Sequence, residues 1–153
     1  MADSLPSLPC ICATLRRGSR TLTQLYDEAL RPVGLRATQF TVLQALSLTG
    51  EVSQGELGRL LAMDSTTLTR TLEIMGQHGW IAKRRGQDRR EWRMRLSKHG
   101  ETRLKRALPH WQKVQRRLRT KLGNELSDSL LKLTDKLTSA VTELQQQHKE
   151  KLL

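Results

Sequence analysis

At Gly79 the hydrophobic period of the chain changes from that of a helix to that of a strand, and no other feature restricts the fold as much. Upstream, Ser53-Gln54-Gly55-Glu56 has the form of a capping box, Ser at the cap and Glu three residues on. Leu57, Leu60 and Leu61 follow at core spacing, and the short helix is expected to stop near Ala62-Met63. Asp64 is a ready N-cap for the next helix and Gly79 a fit end for it. Within that helix Leu68, Leu72 and Met75 lie along one face, with Thr66, Arg70, Glu73 and Gln77 roughly opposite. Ser65 and Thr69 fall near its exposed leading end. Beyond Gly79, residues 80–85 read as a strand, 86–90 as a polar turn, and 91–96 as a strand with Trp92, Met94 and Leu96 on one face. The expected product is a hairpin packed directly after two short-linked helices, with Trp80 and Trp92 beneath it.

The flanks are helical. Ile11, Leu15, Gly18, Leu22, Leu25 and Ala29 draw one apolar stripe over residues 10–30, ended by Arg31-Pro32 and Gly34. A second helix is expected from Thr38 to Gly50, burying Phe40, Leu43, Ala45 and Leu46. Ser97 caps a long helix to about Leu122, with a kink or break expected at Pro109. After Gly123, Leu126, Leu130, Leu133, Leu137, Ala140 and Leu144 recur at alternating steps of four and three, the spacing of a coiled-coil seam.

Charge is concentrated. Residues 83–121 hold 16 of the 27 basic residues and 3 acids, a local formal charge of +13 against +12 for the whole chain. A positive field of that kind is what a polyanion binder needs, because affinity for phosphates comes largely from counterion release. The order of elements gives it a form. Two helices about a tight turn make a helix-turn-helix, and the basic hairpin after it makes a wing. The second helix of such a pair can enter the major groove with its leading polar residues toward the bases, while wing arginines reach the minor groove. With only five aromatic residues, base-stacking single-strand recognition is disfavoured. A nonspecific architectural nucleic-acid binder is the alternative from another class.

These residues resemble the MarR family of transcriptional regulators. The resemblance is carried by Leu57-Gly58-Arg59-Leu60-Leu61, by 64–70 (Asp-Ser-Thr-Thr-Leu-Thr-Arg), by Gly79-Trp80-Ile81 leading into Arg84, and by Asp88-Arg89-Arg90 followed by Leu96-Ser97 and Gly100. The last matches the family's wing signature, Asp-x-Arg and then Leu-Thr-x-x-Gly, with Ser97 in place of Thr. The resemblance spans nearly the whole chain and is strongest over 35–100. It implies a mainly α fold (α+β with a small wing hairpin). A winged helix-turn-helix lobe at 36–97 would lie between dimerisation helices at 10–32 and 98–150, all in one chain, 1–153. It further implies a homodimer, usually a repressor, on inverted half-sites of double-stranded DNA. Ser65, Thr66, Thr67, Thr69 and Arg70 would face the groove, Arg84 would lie near the DNA backbone, Asp88 would brace the wing, and Arg89 and Arg90 would be at its tip, Arg90 in the minor groove.

Release by a small organic effector is a further implication, with Arg16, Arg20, Tyr26 and Trp111 as a candidate cleft. Cys10 and Cys12, at the start of the first helix near Arg16 and Arg17, are candidate thiol sensors. No cofactor is expected, and no metal, since His78, His99, His110 and His148 lack ligand spacing. No catalytic function is expected either, as there is no phosphate loop and no nucleophile–base set. The longest apolar runs fall short of a membrane span. Asp3 and the prolines at 6 and 9 do not suit an export signal, so a reduced, cytoplasmic setting is expected.

Overall fold

In the computed structural model, which describes residues 9–88 and 91–151, the chain forms two compact units, Met1–Gln112 and Lys113–Leu153. Helix α1 runs Ile11–Leu30 and ends in a 3-10 turn, Arg31–Val33, where Pro32 sets the backbone and Gly34 takes a left-handed φ of 65°. Helix α2 is Ala37–Thr49. The Asp27 carboxylate accepts from the Ala37 N–H at 2.6 Å, so α1 supplies a partner for an orphan donor of α2. The strand β1, Val52–Ser53, was not legible in the sequence.

The capping box then forms as the sequence requires. The Ser53 hydroxyl accepts from the Glu56 N–H at 3.2 Å, and the Glu56 carboxylate accepts from the Ser53 N–H at 2.8 Å. Helix α3, Gln54–Leu61, is only eight residues long. Leu57 is fully buried but Leu60 is 57% exposed, against expectation. A helix this short presents one narrow stripe inward, and that stripe holds Leu57 with the half-buried Leu61. Ala62 makes the turn in a left-handed conformation, φ 49°. Helix α4, Ser65–Gln77, is capped by Asp64, which accepts from the Thr67 N–H and the Thr67 hydroxyl. Its buried face is Leu68, Leu72 and Met75.

Strands β2, Ile81–Arg85, and β3, Trp92–Leu96, pair antiparallel from Ile81↔Leu96 to Arg85↔Trp92, and β1 joins the other edge of β3 through Val52↔Met94. The sheet order is β1-β3-β2. Met94 and Trp80 are buried as the alternation implies. Trp92 is not: it is 39% exposed, with the Arg85 guanidinium 4.0 Å over its ring. It lies at the end of the β2–β3 pairing away from Leu96, and a cation from the paired strand covers it.

Helix α5, Lys98–Leu122, passes Pro109 without the expected break. Buried Leu104 and Ala107 and half-buried Trp111 hold the chain on either side of it, so packing overrides one lost ladder bond. The core of the first unit joins α2, α3, α4, the sheet and the first turns of α5. In the second unit, Gly123 (φ 81°) separates α5 from α6, Asn124–Glu150, and Arg119 pairs with Asp128 at 3.0 Å. Leu126, Leu130, Leu133 and Leu144 on α6 are 43–65% exposed.

Candidate nucleic-acid interface

The polar face of α4 is built by what its other face must bury. With Leu68, Leu72 and Met75 fixed inward, residues 65, 66, 69, 70 and 73 are turned to the outside. Ser65, Thr66, Thr69, Arg70 and Glu73 together line a shallow depression on that surface. Ser65, Thr66 and Arg70 are exposed, and Thr69 is half-buried. The Thr67 hydroxyl is engaged on the Asp64 carboxylate at 2.6 Å, as part of the cap. That contact and the Thr67 N–H, the first being the stronger, hold the Asp64 carboxyl below its usual range. The Thr69 hydroxyl accepts from Gln54 Nε2 at 2.8 Å, a tie from α3 to α4 across the turn.

The base of the wing is organised by Glu51, a residue the sequence did not single out. Arg84 on β2 and Arg93 on β3 are directly opposed, and like charges in that position repel. The Glu51 carboxylate answers both. It accepts from Arg84 Nε at 2.8 Å and from Arg84 Nη2, and from Arg93 Nε at 3.1 Å, while Arg93 Nη2 donates to the Glu51 carbonyl at 3.1 Å. Chiefly through Arg84, Glu51 is held below the ordinary carboxylate range, and Arg84 is raised in turn. Arg84 therefore lies on the wing as expected, but as one half of a fork-to-carboxylate pair. The sequence carried no local signal for this, because Glu51 is 33 residues from Arg84 and 42 from Arg93.

Nearer the tip, the Gly86 N–H donates to the Glu91 carbonyl and the Glu91 N–H to the Asp88 carbonyl, each at 2.9 Å. Asp88 thus sits in the turn that closes the hairpin. Arg89 and Arg90 lie outside the described residues.

The remaining candidates are scattered. Arg16 and Arg20 are exposed on α1, and Tyr26 is half-buried there, its hydroxyl pKa raised by burial. Trp111 stacks on Phe40 with centroids 5.9 Å apart. None of these four lines the cavity of about 510 Å³ between α2, β3 and the start of α5, which is bounded by Leu46, Leu96, Leu104 and Leu108 with Glu51, Arg95, Glu101 and Lys105. Cys10 and Cys12 are free thiols, both exposed. His78 is the C-cap of α4, its N–H donating to the Ile74 carbonyl at 3.1 Å, and its ring stacks on Trp80 at 4.5 Å and 14°. Among the described residues no helix is long and apolar enough to cross a membrane.

Comparison with known proteins agrees with this geometry. A profile of the MarR family matches residues 35–92, which run from two residues before α2 to the first residue of β3. The transcriptional regulator MosR of M. tuberculosis, solved in complex with DNA, is 36% identical and superposes with a TM-score of 0.80, over 88% of this chain and 98% of that one. A mutant of MarR from E. coli, complexed with operator DNA, shares the fold at 22% identity and a TM-score of 0.74, over 83% and 92% of the two chains. An uncharacterized HTH-type transcriptional regulator of Bacillus subtilis, YwoH, is 32% identical over 87 residues, 57% of this chain and 64% of that protein, so the match leaves about a third of the relative uncovered. A winged helix-turn-helix with a polar face on its second helix, 36% identical to a solved regulator over 88% of its length, belongs to the MarR family of transcriptional regulators.

Proposed function

We propose that the chain is a sequence-specific repressor that binds an inverted-repeat operator as a homodimer. The observation that carries this reading is the polar face of α4. Ser65, Thr66 and Arg70 stand exposed at the leading end of a helix whose opposite face is locked into the core, the arrangement that lets side chains reach base edges in the major groove. Arg70 is the candidate for a bidentate contact to guanine, and Thr66 for a base edge or phosphate. Thr69 is pre-oriented by Gln54, and Thr67 fixes the helix start that the others depend on. The wing, with Asp88 in its turn, would add minor-groove and backbone contacts, for which the sequence offers Arg89 and Arg90.

Two further parts follow from the same reading. The exposed leucines of α6 and the stripe on α1 support helices at 10–32 and 98–150 as the dimer interface, since such apolar rows in water call for a partner. A small organic effector would fit the cavity of about 510 Å³ more readily than the cleft expected from Arg16, Arg20, Tyr26 and Trp111. Glu51 lines that cavity and also holds Arg84 and Arg93, so an occupant that engages Glu51 would alter the wing. Thiol sensing through Cys10 and Cys12 rests only on their exposure at the start of α1.

The experiment is selection from random-sequence duplexes followed by titration. A repressor dimer enriches paired half-sites about 10–10.5 base pairs apart, centre to centre. Arg70→Ala then relaxes base preference at one position per half-site, costing about 1–3 kcal/mol. Enrichment of no sequence would favour the architectural alternative.

A further inference from the structure

Inside the first compact unit, one carboxylate is shared by two guanidinium groups that differ in how freely they can leave it. Arg93 is held at several points. Its Nε donates to the Glu51 carboxylate and its Nη2 to the Glu51 carbonyl, each at 3.1 Å, and the Glu91 carboxylate stands 3.6 Å from its Nη1. The Arg93 side chain is 28% exposed. Arg84 is 61% exposed. Among the described residues it is held by the Glu51 carboxylate and by a 3.3 Å hydrogen bond to the carbonyl of its chain neighbour Arg85. Glu51 itself is fixed from the next two residues. Val52 pairs with Met94, and Ser53 pairs with Arg93 and caps α3.

This arrangement suits a change of partner by Arg84 alone. If Arg84 leaves, Glu51 and Arg93 remain a one-to-one pair, so no charge is stranded out of water. The carboxylate oxygen that Arg84 Nε gives up belongs to a side chain still 24% exposed, which water can reach. A pair as exposed as Arg84 and Glu51 is worth at most about a fivefold factor in an equilibrium. The group that can take over is one with the same chemistry. A backbone phosphate of duplex DNA offers a guanidinium fork two anionic oxygens, as the carboxylate does.

We propose that Glu51 is an internal stand-in for a DNA phosphate. When the wing meets a duplex, Arg84 transfers its fork from the Glu51 carboxylate to a backbone phosphate, and Arg93 keeps Glu51 in place. Only hydrogen bonds are exchanged. This rests on the reading of the chain as a DNA-binding regulator and adds a restraint to it: Glu51 occupies Arg84 until DNA displaces it, which lowers affinity for every duplex alike.

The test is a double-mutant cycle in the full chain, with Glu51→Gln, Arg84→Gln and the two together. Each protein is titrated against a duplex enriched by selection and a scrambled one, between ~50 and ~200 mM salt. Glu51→Gln keeps an acceptor for Arg93 and removes the charge. Arg84→Gln should lower the salt slope by about 0.9, the share of one phosphate contact. Glu51→Gln should tighten binding about two- to fivefold, and should change little where Arg84→Gln is already present. An unchanged slope in Arg84→Gln would overturn the proposal, since Arg84 would then meet no phosphate. Weaker binding by a folded Glu51→Gln would overturn it as well, by making Glu51 an aligner of Arg84. So would a tightening that persists in full beside Arg84→Gln, which is the general effect of removing an anion near DNA. If Glu51→Gln does not fold, the wild type decides: on addition of duplex the Nε–H resonance of Arg84 should shift while that of Arg93 stays, and movement of both or of neither would overturn the exchange. If the wild type prefers neither duplex, the reading of α4 fails instead, and the cycle on the scrambled duplex still decides the role of Glu51. A wild type that binds neither duplex would overturn both.

Discussion

Gly100, in the first turn of α5, lies so close to Trp80 that a side chain cannot fit between them. A Cβ placed there would run into the Trp80 carbonyl oxygen and stand 2.9 Å from its carbon. The same carbonyl accepts from the Ser97 N–H at 3.1 Å, and the Ser97 hydroxyl donates to the Gly79 carbonyl at 2.6 Å while accepting from the Gly100 N–H at 3.0 Å. The Leu-Ser-x-x-Gly segment is therefore a joint that seats α5 on the end of α4 and the start of β2.

Gly100→Ala should strain this joint. The obstacle is backbone, which cannot rotate away, so destabilisation at the upper end of the overpacking range, about 1–3 kcal/mol, is expected. Chemical denaturation would read it as a lower midpoint at unchanged slope. A wild-type midpoint would mean that α5 is not seated on Trp80.

Ala62 gives the opposite sign. It holds a left-handed φ of 49° at the turn between α3 and α4, a conformation that costs an L-residue about 1 kcal/mol and glycine almost nothing. Ala62→Gly should raise stability by about 0.5 kcal/mol after the extra unfolded-state entropy is subtracted. Thermal unfolding would detect it, and a fall in midpoint would show that the turn is not strained.

Acid should loosen the wing before it unfolds the lobe. Glu51 has its pKa lowered in the folded state, first by the Arg84 hydrogen bond, so it contributes stability above its unfolded value, about 4.3, that is lost as pH falls through the folded value. Glu56, held by the Ser53 N–H and hydroxyl, and Asp64, held by Thr67, act with the same sign. Stability measured from pH 7 downward should stay level and then fall below about pH 4–5. Glu51→Gln should flatten that fall in part, leaving the share of the two capping carboxylates. An identical pH profile in the variant would contradict the clamp.

Leu130→Glu with Leu133→Glu should abolish self-association. Both side chains are more than 40% exposed on α6, where a charge costs the single chain little, but a buried seam cannot hold four carboxylates across a dimer. Sedimentation should give a monomer. A dimer that persists would remove α6 from the interface.

What the sequence made legible was local. The capping box at Ser53 and Glu56, the Asp64 cap and the period change at Gly79 each lie within a few residues, and each forms as the pattern requires. The polar face of α4 followed from Leu68, Leu72 and Met75 by helical geometry alone. Contacts made across distance were not legible. The Glu51 clamp and the two-residue strand β1 need the hairpin folded back before they exist. Leu60 and Trp92 were misplaced because periodicity assigns a face but not how far the core extends along it. The break allowed for at Pro109 did not form, because propensity was weighed without the packing on both sides of it.

The central claim is that α4 reads base sequence. It is tested most directly by titrating the chain against its selected duplex and a scrambled one at ~150 mM salt, where nonspecific binding is not inflated. The predicted result is a preference of about 10³-fold or more, with two protomers per site, reduced by Arg70→Ala on the selected duplex only. Equal affinity for both duplexes, falling equally in the variant, would contradict it.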